Sequence, residues 1–511
     1  MSRHFVVKQM DLHEWRTPTC ASATCEFYRA IQDDVIAWWC ENQRTDLPWR
    51  TGARTESSSS SLSSKRVAGS SGSATARTPL YNPYEVWVSE VMSQQTRMET
   101  VIPYFKKWMD KFPTIEALAA ASEQEVKAVW AGMGYYRRAL YLQKGAQYLI
   151  EWSRRQSSAD HSPTSAASMP STQEELLKVP GIGPYTSAAV ASMGFGEAVC
   201  SVDGNVIRVL SRLRGERGFD PKVPANVKRA CAWGQELMGN TPQTASVVCR
   251  DPSALNQGLM EIGASVCRPG GAPLCSSCPL QAHCCAYALL HAGEIDAIEG
   301  VIPVRAAVTP KRSANEVCVV HEVIEDSAPT PEASQRRFVV MRRPPTGLLA
   351  GMLEFPTVSA ATENGEVGEG CALQEHPLCV LPLLQTRKMK PLSVRTCGGI
   401  RHIFSHIDMH VEVLHVQWPA QVSAPQLLGA VASVVDEHHV DGGRSPFPAA
   451  ARIFFMSEAE LRGGAPSRLM LKVLHQVSSS EVKRKRSATA RKEEALVSSS
   501  TAKTTKRRVV R

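Results

Sequence analysis

Four cysteines within 18 residues are the strongest constraint on what this chain can fold into. They follow the pattern Cys-x7-Cys-x2-Cys-x5-Cys, at Cys267, Cys275, Cys278 and Cys284. Thiolates at such spacing can wrap one compact centre, as in a four-iron, four-sulfur cluster with a structural role. A structural zinc usually takes two Cys-x2-Cys pairs and only one is present, so zinc is an alternative and a metal-free loop another. The adjacent Cys285 leaves the fourth ligand ambiguous.

Charge is distributed unevenly along the 511 residues. The chain has 58 Lys and Arg against 49 Asp and Glu, a net charge of +9. Residues 483–511 alone hold eleven Lys and Arg and two Glu, so this tail carries the whole excess. A claim of nucleic-acid binding must therefore rest on motifs, not on net charge. No stretch reaches about 18 consecutive apolar residues, so we expect no membrane span, and the N-terminus lacks the apolar run of a secretion signal.

Hydrophobic periodicity divides the chain into a helical part and a mixed part. Apolar residues recur at three- and four-residue spacing up to about residue 290, whereas Val317–His321, Phe338–Met341 and Ile407–Val416 have the composition of strands. Ser-rich and highly charged stretches cannot bury enough apolar surface to order themselves. We predict an N-terminal extension over 1–24, a helical domain over 25–290 with disordered insertions near 51–80 and 154–172, a connector over 291–314, an α+β domain over 315–475 and a disordered basic tail over 476–511.

Residues 179–186, Val-Pro-Gly-Ile-Gly-Pro-Tyr-Thr, predict two helices joined by a tight hairpin. Pro180 ends the first helix, and Gly181 and Gly183 permit the turn before the second. Exposed amides at a helix N-terminus can hold a phosphate, a grip on DNA that does not depend on base sequence. An ordinary corner between packed helices is the alternative.

Two carboxyl groups stand in unlike surroundings. Asp203 directly precedes a helix with an apolar face, so it caps that helix, and its carboxylate could also face a cation developing in a substrate. Glu90 lies among the apolar residues of 86–92. A carboxyl group in such surroundings has a raised pKa and can act as an acid near neutral pH. An exposed polar stripe is the alternative for Glu90.

Together and in this order, these motifs resemble the helix-hairpin-helix DNA glycosylases with an iron–sulfur cluster, and among them the MutY-type adenine DNA glycosylases. The resemblance spans most of 36–290. It implies a mainly α N-terminal region followed by an α+β, Nudix-like domain. The first cysteine spacing is x7 where the family usually has x6. The segments that carry the resemblance are LPWR (47–50), NPYEVWVSEVMSQQT (82–96), AGMGYYRRAL (131–140), VPGIGPYT (179–186), VDGNVIRV (202–209) and the cysteine cluster.

The resemblance also implies a substrate, adenine mispaired with 8-oxoguanine or guanine in duplex DNA, and residue roles. Glu90 matches the general acid that protonates the adenine ring. Asp203 matches the carboxylate that stabilises the oxocarbenium-like sugar, supported by Tyr185 and Asn205. The remaining matches are a [4Fe-4S] cluster on the four cysteines, an adenine pocket of Leu47, Trp49, Arg50 and Glu261, and wedge residues Gln95 and Tyr135.

The second half of the chain resembles the C-terminal domain of the same family, through residues 341–345, 347–356 and 401–406. Phe404, Ser405 and His406 match the loop that recognises 8-oxoguanine, and a simple strand-end turn is the alternative. A Nudix hydrolase would need an Arg-Glu-x-x-Glu-Glu box, which the acidic residues of 357–372 do not form. We therefore expect no nucleotide hydrolysis by this domain.

One position separates two subclasses. The related endonuclease III family has a lysine, used as a Schiff-base nucleophile, where this chain has Tyr185. A phenol cannot form a Schiff base, so we predict a monofunctional glycosylase, a hydrolase of N-glycosidic bonds. The alternatives are an endonuclease III-like glycosylase and lyase, or a non-catalytic protein that binds damaged DNA. We expect a monomer, and repair-protein partners are expected by family analogy only. The basic runs 483–486 and 506–508 predict a nuclear location, and a mitochondrial pool is left open.

Overall fold

The computed structural model describes residues 21–50, 81–160, 168–305, 310–324, 336–344, 348–359, 378, 381, 390–438, 452–464 and 466–480. These residues form two compact units. The first holds the described residues of Met1–Val129 and Arg137–Val308, and the second those of Trp130–Tyr136 and Thr309–Arg511. The predicted insertion at 51–80 and the tail beyond 480 lie outside the described residues. Among the helices described, none is both long and apolar enough to cross a bilayer.

The first unit is helical. A π-helix over Ile262–Val266 continues directly from the helix before it, and single 3-10 turns lie at Pro48–Arg50, Ala245–Val247, Cys275–Ser277 and Gln281–His283. The α-helices are α1 (Ala21–Asn42), α2 (Pro83–Ser93), α3 (Met98–Lys111), α4 (Ile115–Ala120), α5 (Glu123–Trp130), α6 (Arg137–Asp160), α7 (Gln173–Leu176), α8 (Pro184–Phe195), α9 (Gly204–Leu213), α10 (Pro224–Met238), α11 (Pro252–Glu261) and α12 (Cys285–His291).

Helix α8 is the centre of this unit. Its residues from Thr186 to Gly194 are all buried, and small side chains (Ala188, Ala189 and Ala191) let α2 and α11 pack against it. A helix that is apolar on every side must lie inside the protein. The residues at the ends of α2 and α8 are thereby held at fixed positions beside one another.

Two predicted boundaries in the first unit are wrong. Residues 154–160, assigned to a disordered insertion, continue α6, because arginine and glutamine favour helix and extending an existing helix costs little. The predicted connector over 291–314 is also too long. Its first part packs onto the unit through Ile295, Ile298 and Ile302, whose three- and four-residue spacing supplies an apolar face.

The second unit is built on one mixed sheet with strand order β3-β2-β1-β6-β5, in which β4 pairs with β1 and β7 with β2. Strands β1 and β6 are parallel, and the other pairs are antiparallel. The elements are β1 (Arg312–Ile324), β2 (Arg336–Arg342), β3 (Leu353–Glu354), β4 (Thr357–Ser359), β5 (Ser393–Ile403), β6 (Ile407–Trp418), α13 (Ala424–His438), β7 (Ile453–Ser457), α14 (Glu458–Gly463) and α15 (468–480).

Both faces of this sheet are covered. In β1, Val317 and Val319 belong to the core beneath α13, whereas Cys318 and Val320 belong to the core beneath α15, as the two-residue period of a strand requires. The predicted start of the disordered tail at 476 is wrong, because the helix that covers the second face of the sheet extends past this residue. Val477 is fully buried in the second core, so α15 continues to residue 480 although its sequence is rich in serine.

Candidate active site

Glu90 and Tyr185 meet between α2 and α8. Glu90 lies in the last turn of α2, and Tyr185 in the first turn of α8. The Tyr185 hydroxyl donates a hydrogen bond of 2.6 Å to Glu90 Oε2 and also lies 3.6 Å from Met260 Sδ in α11. The alternative of an exposed stripe for Glu90 is therefore wrong, because this carboxyl group is buried and hydrogen-bonded to Tyr185 of α8.

The surroundings of Glu90 favour its protonated form. Burial is the largest influence on the pKa of Glu90 and raises it, as does the negative charge of Asp203, whereas the Tyr185 hydrogen bond and the Arg50 guanidinium lower it. The balance of these effects brings the pKa of Glu90 to about 7. The pKa of Tyr185 is also raised, by burial and then by the charges of Glu90 and Asp203. Both carboxyl groups therefore act on the same small region, and the phenol stays protonated.

Asp203 caps α9 and is held on both oxygens. Its Oδ1 accepts a 2.8 Å hydrogen bond from the amide of Val206, and its Oδ2 accepts one of 2.8 Å from Asn205 Nδ2. The capping interpretation is confirmed by the first bond. Because capping uses only one oxygen, it does not prevent the same carboxylate from stabilising a nearby cation.

Arg208 is a functional candidate that the sequence reasoning missed. Its guanidinium donates to Asn205 Oδ1 at 2.8 Å, to the Gly263 carbonyl at 2.6 Å and to the Cys267 carbonyl at 2.8 Å. A guanidinium can only donate, so it fixes the amide of Asn205 with Nδ2 towards Asp203. The three-residue spacing from Asn205 on one helix was a signal for the first of these contacts only.

The predicted adenine-pocket residues converge in the same unit. Leu47 and Trp49 are buried, and the Trp49 ring packs edge-on against Phe105 at 5.1 Å. Arg50 forms an ion pair with Glu261, in which both side chains are largely shielded from solvent. Glu261 directly follows Met260, the neighbour of Tyr185, so this pair lies beside the acid Glu90.

The hairpin of residues 179–183 has the backbone its glycines predict. Gly181 has a φ of +86°, and a Cβ there would lie 2.6 Å from the Cβ of Tyr141, so a side chain is excluded on two grounds. Gly183 precedes the first turn of α8, and a Cβ there would meet no atom within 4 Å. The position next to the first turn of α8 is therefore unobstructed at Gly183, which suits a phosphate contact there.

Both predicted wedge residues have strained backbones. Only four non-glycine residues in the described ranges have positive φ, and two of them are Gln95 at 55° and Tyr135 at 49°. Each such residue costs about 1–3 kcal/mol, and strain of this kind is concentrated at functional sites. Gln95 is exposed just after α2, and Tyr135 is 52% exposed in the 130–136 segment of the second unit.

The four cysteines Cys267, Cys275, Cys278 and Cys284 line one cavity. Arg212 borders it and donates a hydrogen bond of 3.2 Å to Cys267 Sγ. Cys285 does not line this cavity. It is buried against Gly215, which favours Cys284 as the fourth ligand.

Four cysteine thiolates can ligate either a [4Fe-4S] cluster or a zinc ion. Zinc holds each sulfur at about 2.3 Å, so four ligand sulfurs must lie within about 4 Å of one another. Among the residues described, no group of three or more His, Cys, Asp or Glu side chains is arranged to hold a metal ion. A donor set of four thiols around an apolar cavity, with one guanidinium at its edge, suits the larger [4Fe-4S] group.

In the second unit, residues 404–406 connect β5 to β6, and we call residues 401–407 the reader hairpin, after the role predicted for residues 404–406. The Phe404 amide donates to the Ile407 carbonyl at 2.8 Å, which closes the turn. Phe404 packs partly against the core, whereas Ser405 and His406 are exposed and lie 3.1 Å apart through Oγ and Nδ1. The two exposed side chains are thus presented together at the tip.

The fold and the site define a class of protein: a helix-hairpin-helix base-excision DNA repair protein with a second, Nudix-type domain. Residues 88–234 match the family profile described as "HhH-GPD superfamily base excision DNA repair protein". Residues 332–457 match a NUDIX domain profile. The fold class predicted from the sequence is confirmed, with a helical first unit and a mixed sheet in the second.

Individual relatives make the assignment more specific. An adenine DNA glycosylase of Mus musculus is 32% identical over 426 residues, which cover 78% of this chain and 73% of that protein. One of Arabidopsis thaliana is 33% identical over 412 residues, covering 76% of this chain and 57% of that protein. A solved thermostable thymine-DNA glycosylase is 21% identical, with a TM-score of 0.37, covering 52% of this chain and 99% of that one. The chain belongs to the adenine DNA glycosylase family, as the motifs predicted.

Proposed function

We propose that this protein is a monofunctional glycosylase that removes adenine mispaired with 8-oxoguanine or guanine from duplex DNA. The observation that carries this proposal is the meeting of Glu90, Tyr185 and Asp203 in one small region. Breaking an N-glycosidic bond needs a protonated leaving base and a stabilised sugar cation, and two carboxyl groups in unlike environments supply both.

The chemistry follows from the protonation states. The adenine must first leave the stack, a step that the strained wedge residues Gln95 and Tyr135 would assist. Tyr185 occupies Glu90 Oε2, which leaves Oε1 to deliver the proton to a ring nitrogen of adenine. As the bond to the sugar breaks, its electron pair goes to the base, and Asp203 faces the positive charge on the sugar. Water then adds to the sugar carbon and releases its proton, so base loss is a hydrolysis.

The lyase alternative is less well supported. A Schiff base at the sugar requires an amine nucleophile beside Asp203, and the first turn of α8 presents the Tyr185 phenol instead. A protein that only binds damaged DNA would need neither the raised pKa of Glu90 nor the hydrogen bonds that hold both oxygens of Asp203.

One assay separates the three functions. A duplex with a single adenine opposite 8-oxoguanine is incubated with the protein, and half of each sample is then treated with alkali. We expect strand breaks at the adenine only after alkali. Breaks without alkali would identify a lyase, and binding without any base loss would identify a damage-binding protein.

Ser405 is proposed to recognise 8-oxoguanine with Phe404 and His406. We define the discrimination ratio as the excision rate opposite 8-oxoguanine divided by the rate opposite guanine. We expect Ser405→Ala to lower this ratio by about 5- to 30-fold, which corresponds to the loss of about 1–2 kcal/mol from one polar contact. The rate opposite guanine should change little, because Ser405 lies on the exposed tip and supports no core residue. Single-turnover rates on the two duplexes measure this, and an unchanged ratio would reject the assignment.

We also propose that Cys267, Cys275, Cys278 and Cys284 hold a [4Fe-4S] cluster. When bound, such a cluster fixes the fold of the 267–284 loop beside α9, and no redox turnover is needed. We expect the purified protein to be brown, to absorb at about 400 nm and to contain about four iron atoms per chain. Cys278→Ser should lose iron, whereas Cys285→Ser should keep it. A colourless protein containing zinc would contradict this proposal.

The proposed location is the nucleus, supported by the basic runs at 483–486 and 506–508, which lie outside the described residues. The proposed partner is duplex DNA carrying the mispair, with the protein acting as a monomer.

A further inference from the structure

The reader hairpin is held from outside its own two strands. Lys311 Nζ donates a 2.7 Å hydrogen bond to the Phe404 carbonyl, and the Arg312 amide donates one of 3.0 Å to the His406 carbonyl. Both bonds come from the residues where β1 begins. The carbonyls on either side of Ser405 are therefore fixed by a segment that is remote in sequence.

A second set of contacts holds the edge strand that leads into the hairpin. Lys472, Gln476 and Ser480 stand four residues apart and so share one face of α15. Lys472 Nζ donates to the Arg401 carbonyl at 3.2 Å, and Gln476 Nε2 to the Cys397 carbonyl at 2.9 Å. Carbonyls of β5 that do not pair with β6 are thereby satisfied by the helix.

We propose that Lys311 and Lys472 are positioning residues for 8-oxoguanine recognition, an inference that rests on the proposed role of Phe404–His406. Neither lysine needs to touch the base. Each fixes a carbonyl of the hairpin, and together they set the direction in which Ser405 and His406 point.

The physical reason is that discrimination depends on geometry. Guanine and 8-oxoguanine differ only at C8 and N7, so the reader must be placed within about 0.5 Å to distinguish them. Residues 404–406 close on themselves through a single described backbone bond, from Phe404 to Ile407. Hydrogen bonds from charged donors are stronger than neutral ones and suit this bracing.

The competing explanation for the two lysines is contact with DNA phosphates. Both lysines are exposed. Arg468 lies close to Lys472, because both positive charges act on His402: burial first, and then Lys472 and Arg468, lower the pKa of His402 to about 4. A phosphate contact and a hydrogen bond that positions the hairpin predict different effects when the lysine is removed. Loss of a phosphate contact weakens binding to every sequence and lowers its salt dependence, whereas loss of a brace changes discrimination.

The test compares Lys311→Met/Lys472→Met with Arg468→Met in the full-length protein. Arg468 is the matched control, because within the described residues it donates to no carbonyl of the hairpin. The measurements are single-turnover excision opposite 8-oxoguanine and opposite guanine, and the salt dependence of duplex affinity. We expect the double variant to lose about 5- to 10-fold in the ratio of the two rates, equivalent to about 1 kcal/mol, and Arg468→Met to keep it.

Two further readouts keep the outcome decisive. Lys311→Arg/Lys472→Arg should restore the ratio, and amide exchange over 401–407 should be faster in the methionine variant even without DNA. A normal ratio in the methionine variant, with a reduced salt dependence of duplex affinity, would overturn the positioning role alone. A wild-type protein that excises adenine equally well opposite both bases would overturn the reader assignment, and this inference with it.

Discussion

Glu90→Gln is expected to bind mispaired DNA normally and to lose excision by about 10²- to 10⁴-fold, the usual contribution of a positioned general acid. Glutamine keeps the shape of the side chain and can still accept the hydrogen bond from Tyr185. It has no acidic proton to give to the departing base. Single-turnover excision and duplex affinity, measured on the same preparation, separate chemistry from binding.

Glu85→Gln is the matched control, since Glu85 lies on the same helix and has no contact with Tyr185 or Asp203 among the described residues. The wild-type pH profile tests the same role independently. With the pKa of Glu90 raised to about 7, the acid form dominates at pH 6 and is lost as the pH rises. The single-turnover rate should therefore fall about tenfold per unit above pH 7.5. A rate that stays level up to pH 8.5, or turnover retained by Glu90→Gln, would refute the role.

Asp203→Asn is expected to lower excision by at least about 10²- to 10³-fold, because it removes the charge that faces the sugar cation. Asparagine is as good an N-cap as aspartate, and its side-chain oxygen can still accept from the Val206 amide. Stability should therefore change little. Single-turnover rates and Tm, measured together, distinguish the loss of a charge from the loss of a cap.

Asp251→Asn provides the control for this variant. Asp251 caps α11 through the same kind of bond, to the Ala254 amide at 2.9 Å. We expect this variant to retain full excision. If Asp203→Asn were as active as the wild-type protein, helix capping would be the whole role of Asp203. The proposed mechanism would then lack the carboxylate that stabilises the sugar cation.

Residues whose roles depend on local chemistry could be predicted from the sequence. Asp203 was predicted at a helix start because its side chain caps only the residues that follow it, and Gly181 was predicted at a turn because few residues adopt its backbone conformation. The alternation in β1 and β6 likewise indicated a sheet. In each case the deciding neighbours are within a few positions of one another.

Residues whose roles depend on distant neighbours could not be predicted in this way. Arg208 binds the carbonyls of Gly263 and Cys267, more than fifty positions away, and nothing near it in sequence signals these contacts. The braces of the reader hairpin come from Lys311 and Lys472, on either side of it in sequence. Val477 was assigned to the tail because composition does not reveal the core that covers it.

The π-helix over Ile262–Val266 has a consequence for how this protein can change. It holds one more residue per turn than an α-helix and lies between Glu261 and Cys267, while its Gly263 lies so close to Asn205 that a Cβ would approach within 2.7 Å. Removing one residue there would turn everything downstream by about 100° relative to Glu261. The pocket wall and the first cysteine could not then both face their targets, so this segment cannot change in length, and at Gly263 it cannot accept a side chain either.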